Sequence, residues 1–139
     1  MTRLRGLGRV VALLATMTAA GAQPALQCHG AQKLMAVAEL MFGRNIGGRI
    51  GVNEAQWRRF VDREITPRFP LGLTVVDARG QWRDAKTKAL VREPSKLVTI
   101  VLPGEAVDQA RLNEIAEAYK TQFKQDSVGI IVRPACVAF

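Results

Sequence analysis

The hydrophobic period of this chain switches from two to three-or-four and back again, twice, and that order restricts the fold more than any other feature. Leu34, Ala36, Ala38, Leu40 and Phe42 alternate with Met35, Val37, Glu39 and Met41, so Leu34 to Phe42 is predicted to be a strand. Residues 43–51 hold four glycines and read as a flexible loop. Asn53 with Gln56 three places on has the form of a capping box, and Trp57, Phe60, Val61 and Ile65 recur at helical spacing. A helix is therefore predicted from Glu54 to about Ile65, ended by Pro67. Leu73 to Trp82 alternates again and is followed by the polar stretch 83–88, so a hairpin is expected. Its return strand contains Leu90 and Val91, breaks at Pro94 in a bulge or edge segment, and resumes from Leu97 to Leu102 before Pro103-Gly104. Asp108 is expected to cap a second helix with the stripe Leu112, Ile115, Ala116, Tyr119 and Phe123. A last strand starts at Ser127 and runs to Val132 or on to Phe139.

Strand, helix, strand, strand, helix, strand is the order of a ferredoxin-like split βαβ domain: an α+β fold with a four-stranded antiparallel sheet and two helices on one face. Its strand order, 4-1-3-2, brings the start of the first strand beside the end of the fourth. Cys28 and Cys136 stand at those two places and are predicted to form a disulfide. Two helices cover one face only. Leu40, Phe42, Val76 and Trp82 are assigned to that face, and Met35, Val37, Glu39, Met41, Val75, Asp77, Arg79 and Gln81 to the open one. A face that mixes apolar and charged residues is expected to serve as a homodimer interface or a ligand cavity.

The amino end reads as an address. Arg3, Arg5 and Arg9 precede the 13-residue apolar run Val10 to Ala22, which ends in the small residues Ala20-Gly21-Ala22. That is the pattern of a secretory signal peptide cleaved near Ala22, and the run is short of the ~20 apolar residues a membrane anchor needs. The expected organisation is residues 1–22 as signal and 23–139 as one α+β domain, exported to the periplasm or beyond with no stable membrane anchor. Of 20 basic side chains three lie in the signal, so the excess over 12 acidic ones falls from +8 to +5 in the mature chain. The remaining cations are scattered, which disfavours nucleic acid and leaves a small anionic ligand as the expected partner. One histidine and two cysteines cannot build a zinc or iron–sulfur centre alone, and no cofactor is expected.

Several motifs then occur in order: Glu39-Leu40-Met41-Phe42-Gly43-Arg44, Trp57 with Phe60, Thr66-Pro67-Arg68-Phe69-Pro70-Leu71-Gly72-Leu73-Thr74-Val75, Gly80-Gln81-Trp82-Arg83, Glu93-Pro94-Ser95-Lys96, and Tyr119 with Phe123-Lys124-Gln125-Asp126-Ser127-Val128. Together they resemble a bacterial exported family catalogued as domain of unknown function thirty-five seventy-four. The resemblance covers nearly all of the chain after the signal, with Met41 where that family usually carries an aromatic. It implies a small exported protein and brings no reaction or catalytic residue with it.

Glu39 is the first candidate for chemistry, because an unpaired carboxylate inside an apolar strand is costly or has its pKa raised toward that of a general base. A salt bridge to Arg79 or another base across the sheet is the competing structural role. Arg68, between Pro67 and Pro70, is placed either to hold a carboxylate ligand or to cap the carbonyls ending the first helix. Gln81-Trp82-Arg83 and Glu93-Pro94-Ser95-Lys96 face each other across the outer hairpin and are expected to form a pocket rim or a plain twisted arm. Ser95 and Lys96 point to opposite faces and form no dyad. Arg44, in the glycine loop, completes the candidate ligand contacts Arg68, Asp77, Arg79, Gln81, Trp82 and Lys96. An exported ligand-binding or interaction module using the open face of the sheet follows, with a cofactor-independent isomerase-like or monooxygenase-like enzyme acting on a small acidic substrate, Glu39 its general base, as the alternative.

Overall fold

The computed structural model describes residues 26–139, so the expected signal peptide lies outside the described residues. The first alternating segment is a strand, β1 (Lys33–Gly43), and its even residues Ala38, Leu40 and Phe42 are fully buried. The glycine loop after it is more ordered than its composition suggests: Asn45–Ile46 (β2) and Arg49–Ile50 (β3) pair as a two-residue hairpin. Gly51 and Val52 N–H donate to the Arg44 carbonyl, at 2.9 and 3.1 Å, closing its base.

Asn53 caps α1 (Glu54–Phe60): its side chain accepts from Gln56 N–H and its own N–H donates to the Gln56 side chain, the reciprocal pair expected from the sequence. The helix then widens into a π-type turn, Val61–Ile65, in which Thr66 N–H reaches back five residues to the Val61 carbonyl. The hairpin follows as β4 (Thr74–Arg83) and β5 (Leu90–Val101), then α2 (Asp108–Phe123) and β6 (Gly129–Val137). Asp108 caps differently from the expectation. It is the first residue of α2, and its Oδ2 accepts from Gly104 and Glu105 N–H at 2.9 Å each, fastening the turn that enters the helix.

The four long strands form one antiparallel sheet in the order β4-β5-β1-β6. Both helices pack on one face of it. Phe42 meets Trp57 and Phe60 of α1 at ring distances of 5.2 and 6.0 Å and Tyr119 of α2 at 4.8 Å, within a core that also holds Leu40, Val98, Ile100, Leu112 and Ile115. Pro94 makes no bulge: it lies in register opposite Arg79. Its carbonyl accepts from Arg44 N–H on the β1 side, so the hydrogen it lacks would have pointed away from β4 and the hairpin ladder is unharmed.

The register corrects one face assignment. Phe42 is opposite Lys96 and Leu40 opposite Val98, while Lys96 is opposite Asp77 and Val98 opposite Val75. Opposed residues share a face, so Val75, Asp77, Arg79 and Gln81 lie on the helix side, and Val76 and Trp82 lie on the open side. The sequence pattern assigns these the other way round.

Cys28 and Cys136 are joined, with Cα atoms 5.3 Å apart across a sequence separation of 108. Since Leu34 pairs with Cys136 on neighbouring strands, the bridge ties the approach to β1 onto the end of β6. A loop of this length removes denatured-state entropy worth about 4 kcal/mol in the chain-entropy picture. Reduction, or Cys28→Ser with Cys136→Ser, is therefore expected to lower the unfolding free energy by about 3–4 kcal/mol, read as a lower urea midpoint with the cooperative transition retained.

Candidate functional site

Beyond Gly43 the sheet loses β1, and the outer halves of β4 and β5 continue as a two-stranded arm. The motifs Gly43-Arg44, Gly80-Gln81-Trp82, Glu93-Pro94-Ser95-Lys96 and Lys124 to Ser127 all come together around this arm. Local chemistry fixes the meeting point. Tyr119, buried in the core, donates its hydroxyl to the Gly43 carbonyl at 2.7 Å, and burial raises its pKa well above the ordinary value. Gln125 Nε2 donates to the Asn45 carbonyl at 2.7 Å, following the left-handed Lys124 (φ 52°) that ends α2.

On the helix side of the arm lies a cleft of about 710 Å³, whose charged and amide lining is Arg44, Glu54, Asp77, Arg79, Gln81, Arg92 and Glu93. Lys96 lies beneath it, bonded to two of its lining carboxylates. The side chain is only 6% exposed, and its ammonium donates to Asp77 Oδ1 at 2.5 Å and to Glu54 Oε2 at 3.0 Å. Arg44 completes the network, giving its Nη1 to Glu54 Oε1 at 2.6 Å and its Nε to the Val52 carbonyl at 2.8 Å. The hydrogen bond from Lys96 holds both Asp77 and Glu54 below their ordinary carboxyl pKa values, with the charges of Lys96 and Arg44 acting in the same direction. Two cations and two carboxylates thus neutralise one another at the base.

The mouth is different. Arg92 Nε donates to Gln81 Oε1 at 2.9 Å, and neither Arg92 nor Arg79 has a carboxylate partner among the described residues. Of the residues singled out in the sequence, Arg44, Asp77, Arg79, Gln81 and Lys96 are therefore gathered at one site. Glu54 and Arg92, which the sequence reading passes over, belong to it too. Glu54 is disguised as an ordinary acidic first-turn residue, and Arg92 as one of many scattered cations.

The other candidates lie elsewhere. Glu39 is on the open face, where its Oε1 accepts from Arg133 Nη2 of β6 at 2.9 Å; Arg79 points to the opposite face and cannot reach it. Arg68 takes the capping role, donating to the Glu64 carbonyl at 2.7 Å and to the carboxylates of Glu64 and Glu114 at 3.0 and 3.1 Å, which staples the end of the first helical segment to α2. Trp82 stands on the reverse side of the arm, 45% exposed. Ser95 and Lys96 face opposite ways, as expected. Among the described residues no group of three His, Cys, Asp or Glu side chains is placed to hold a metal ion.

The sequence profile of a family described as Protein of unknown function (DUF3574) matches residues 37–139. Comparison with curated protein sequences finds no significant match. Among solved structures, a phage SAM lyase in complex with S-methyl-5'-thioadenosine is similar with a TM-score of 0.60 and 16% identity, over 84% of this chain and 97% of that one. A phage SAM lyase in its apo state gives 0.57 and 19%, over 80% and 87%. CutA from Synechococcus elongatus PCC7942 gives 0.48 and 9%, over 77% and 80%. At such identities the likeness to the lyase is one of fold.

The Lys96 network sets an acid limit on stability. Asp77 and Glu54 have native pKa values depressed from 3.8 and 4.5, so their contribution is complete above those values and is lost as the pH falls through the lower native ones. Melting temperatures should therefore fall as the pH drops below ~4. In Glu54→Gln with Asp77→Asn that limb should shrink, and at pH 7 the variant should melt at a lower temperature because the buried Lys96 ammonium is left without a counter-charge.

Proposed function

The chain belongs to the family described as Protein of unknown function (DUF3574), and from that premise we propose that it is a small-ligand-binding module whose helix-side cleft takes a small anion. The observation that carries this reading is the pair of guanidiniums at the cleft mouth, Arg79 and Arg92, which have no ion-pair partner among the described residues and stand, with Glu93 as the one further carboxylate of the lining, above a base that is already neutral. A planar, permanently charged fork held on a strand is suited to carboxylate or phosphate oxygens. The cleft's volume of about 710 Å³ falls in the range of small-molecule sites. The fold supports small-molecule binding in general, since the phage SAM lyase of similar architecture was solved with S-methyl-5'-thioadenosine bound.

The architecture is that of a ferredoxin-like split βαβ domain: the strand order β4-β5-β1-β6 and the two helices sharing one core favour it. Export is favoured by the Cys28–Cys136 disulfide, which belongs to oxidising compartments, and no helix of the described residues is long and apolar enough to cross a membrane. The open face is the self-association surface of a homodimer. Val76 and Ile131 are 48% and 45% exposed there. Four strands about 4.8 Å apart and about ten residues long span ~600 Å², close to the ~800 Å² per partner of a standard interface.

Isothermal titration with citrate and with inorganic phosphate tests the cleft. Saturable binding that weakens with added salt is expected, with affinity falling about tenfold in Arg79→Ala with Arg92→Ala; equal affinity in the variant defeats the reading. Light scattering tests the open face: a dimer mass is expected, with Val76→Asp giving the monomer.

A further inference from the structure

The arm has a second side, which the anion-binding reading does not use. On it Gly43 pairs with Ser95, Ser95 with Ala78, and Gly80 with Glu93, so the floor between the strands carries almost no bulk. A methyl group at Gly43 would collide with Oε1 of Glu93 and stand 2.9 Å from its Oε2. The Glu93 carboxylate therefore lies over Gly43 in the space any other residue would fill. A methyl at Gly80 would stand 2.9 Å from Ser95 Oγ and 3.8 Å from both Glu93 Cγ and Trp82 Cζ3, so the indole leans over Gly80 toward the same glutamate. Neither glycine has a positive φ; what each supplies is room.

Glu93 is anchored through one oxygen. Its Oε2 accepts from Asn45 N–H at 3.0 Å, and Asn45 is itself held through its carbonyl by Gln125 at 2.7 Å. Its Oε1 receives no donor and the carboxylate has no ion-pair partner among the described residues, although the chain as a whole carries more cations than anions. Above it opens a groove of about 630 Å³ between Trp82, Met41 and the turn 124–127. Three carboxylates, Asp84, Glu93 and Asp126, line that groove against the single ammonium of Lys124. The groove is thus opposite in charge to the mouth of the cleft behind it.

A fixed carboxylate with one free oxygen, beside the half-exposed face of an indole and a thioether, has the recognition chemistry of an organic cation. A bare metal ion is a poor match, because no triad of ligating side chains is present among the described residues. We propose that this groove is a second binding site, taking a primary ammonium or guanidinium carried on a short apolar or aromatic body. Glu93 supplies the counter-charge, Trp82 the stacking surface, and Gly43 and Gly80 the space that lets both lie flat. The groove adjoins the anion cleft, which shares Gly80, Gln81, Glu93 and Ser95 with it, but its proposed ligand is of the opposite charge.

The test uses the disulfide-bonded, 15N-labelled protein at neutral pH, with phenethylammonium as the probe and 2-phenylethanol as its uncharged counterpart. Saturable shifts are expected at the Trp82 indole N–H and at the Gly43, Asn45 and Gly80 amides, with the ammonium binding about fivefold more tightly than the alcohol. Glu93→Gln keeps an oxygen for Asn45 N–H while removing the charge, and should weaken the ammonium about fivefold without changing the alcohol. Arg79→Ala with Arg92→Ala should leave the ammonium affinity unchanged. Equal affinity for the two probes, unchanged affinity in Glu93→Gln, or shifts confined to the Arg79 cleft overturn the proposal. Should Glu93→Gln lose the dispersed spectrum of the folded protein, Trp82→Leu replaces it: ammonium binding should weaken about threefold, and no change refutes the site.

Discussion

The Phe42 ring is the contact from which the rest of the structure takes its position. Trp57, Phe60 and Tyr119 close on it from two helices, so β1 can present only its even residues to the core. A slip of one residue would expel that ring and bury Met41 and Gly43 in its place. Because Phe42 is opposite Lys96, the same packing places the ammonium under the rim of α1, within reach of Glu54. Because Gly43 comes next, Tyr119 reaches past the ring to its carbonyl and fixes the end of β1. The core thus sets the geometry of both sides of the arm without contributing a side chain to either.

How much of this was legible in the sequence varies with how local the deciding force is. Asn53 and Gln56 announce the start of α1 because a capping box is made within four residues. The alternation in β1 gives its faces correctly, since helices cover that strand along most of its length. In β4 the same logic fails. Val75 and Val76 are adjacent and both apolar, and Trp82, the largest apolar side chain nearby, lies on an arm that overhangs the helices, where burial no longer sorts the residues. What decides the face is the opposition of Asp77 to Lys96, a pairing nineteen positions apart that no periodicity encodes. Arg79 follows that error to the wrong face, so the base that pairs with Glu39 across the sheet is Arg133. The glycine loop was misjudged for a related reason: its order comes from Tyr119 and Gln125, more than seventy residues away.

The two sides of the arm follow from pleat alone. Asp77, Arg79 and Gln81 of β4 share a side with Arg92 and Lys96 of β5, while Gly80 and Trp82 share the other with Glu93 and Ser95. Cations thereby collect behind the arm and the unpaired carboxylate in front of it. In a full sheet such segregation would be masked by neighbouring layers; in a two-stranded ribbon each side chain has solvent or a ligand as its only remaining partner. The balanced Lys96 network at the root keeps the cationic side from repelling itself apart.

The sheet's free edges bear on how copies of the chain meet. Ala36 gives its carbonyl to Leu102 N–H on the β5 side, so its pairing with Pro134 is of the kind in which the β6 residue directs its backbone outward. The hydrogen missing from Pro134 is therefore missing from the exposed edge itself, where another strand would need it. At the opposite edge, β4 sets Asp77, Arg79 and Arg83 along its length, charges that resist a strand laid against them. Both edges therefore resist the addition of a further strand, and on the open face the ion pair of Glu39 with Arg133 is already satisfied within the chain.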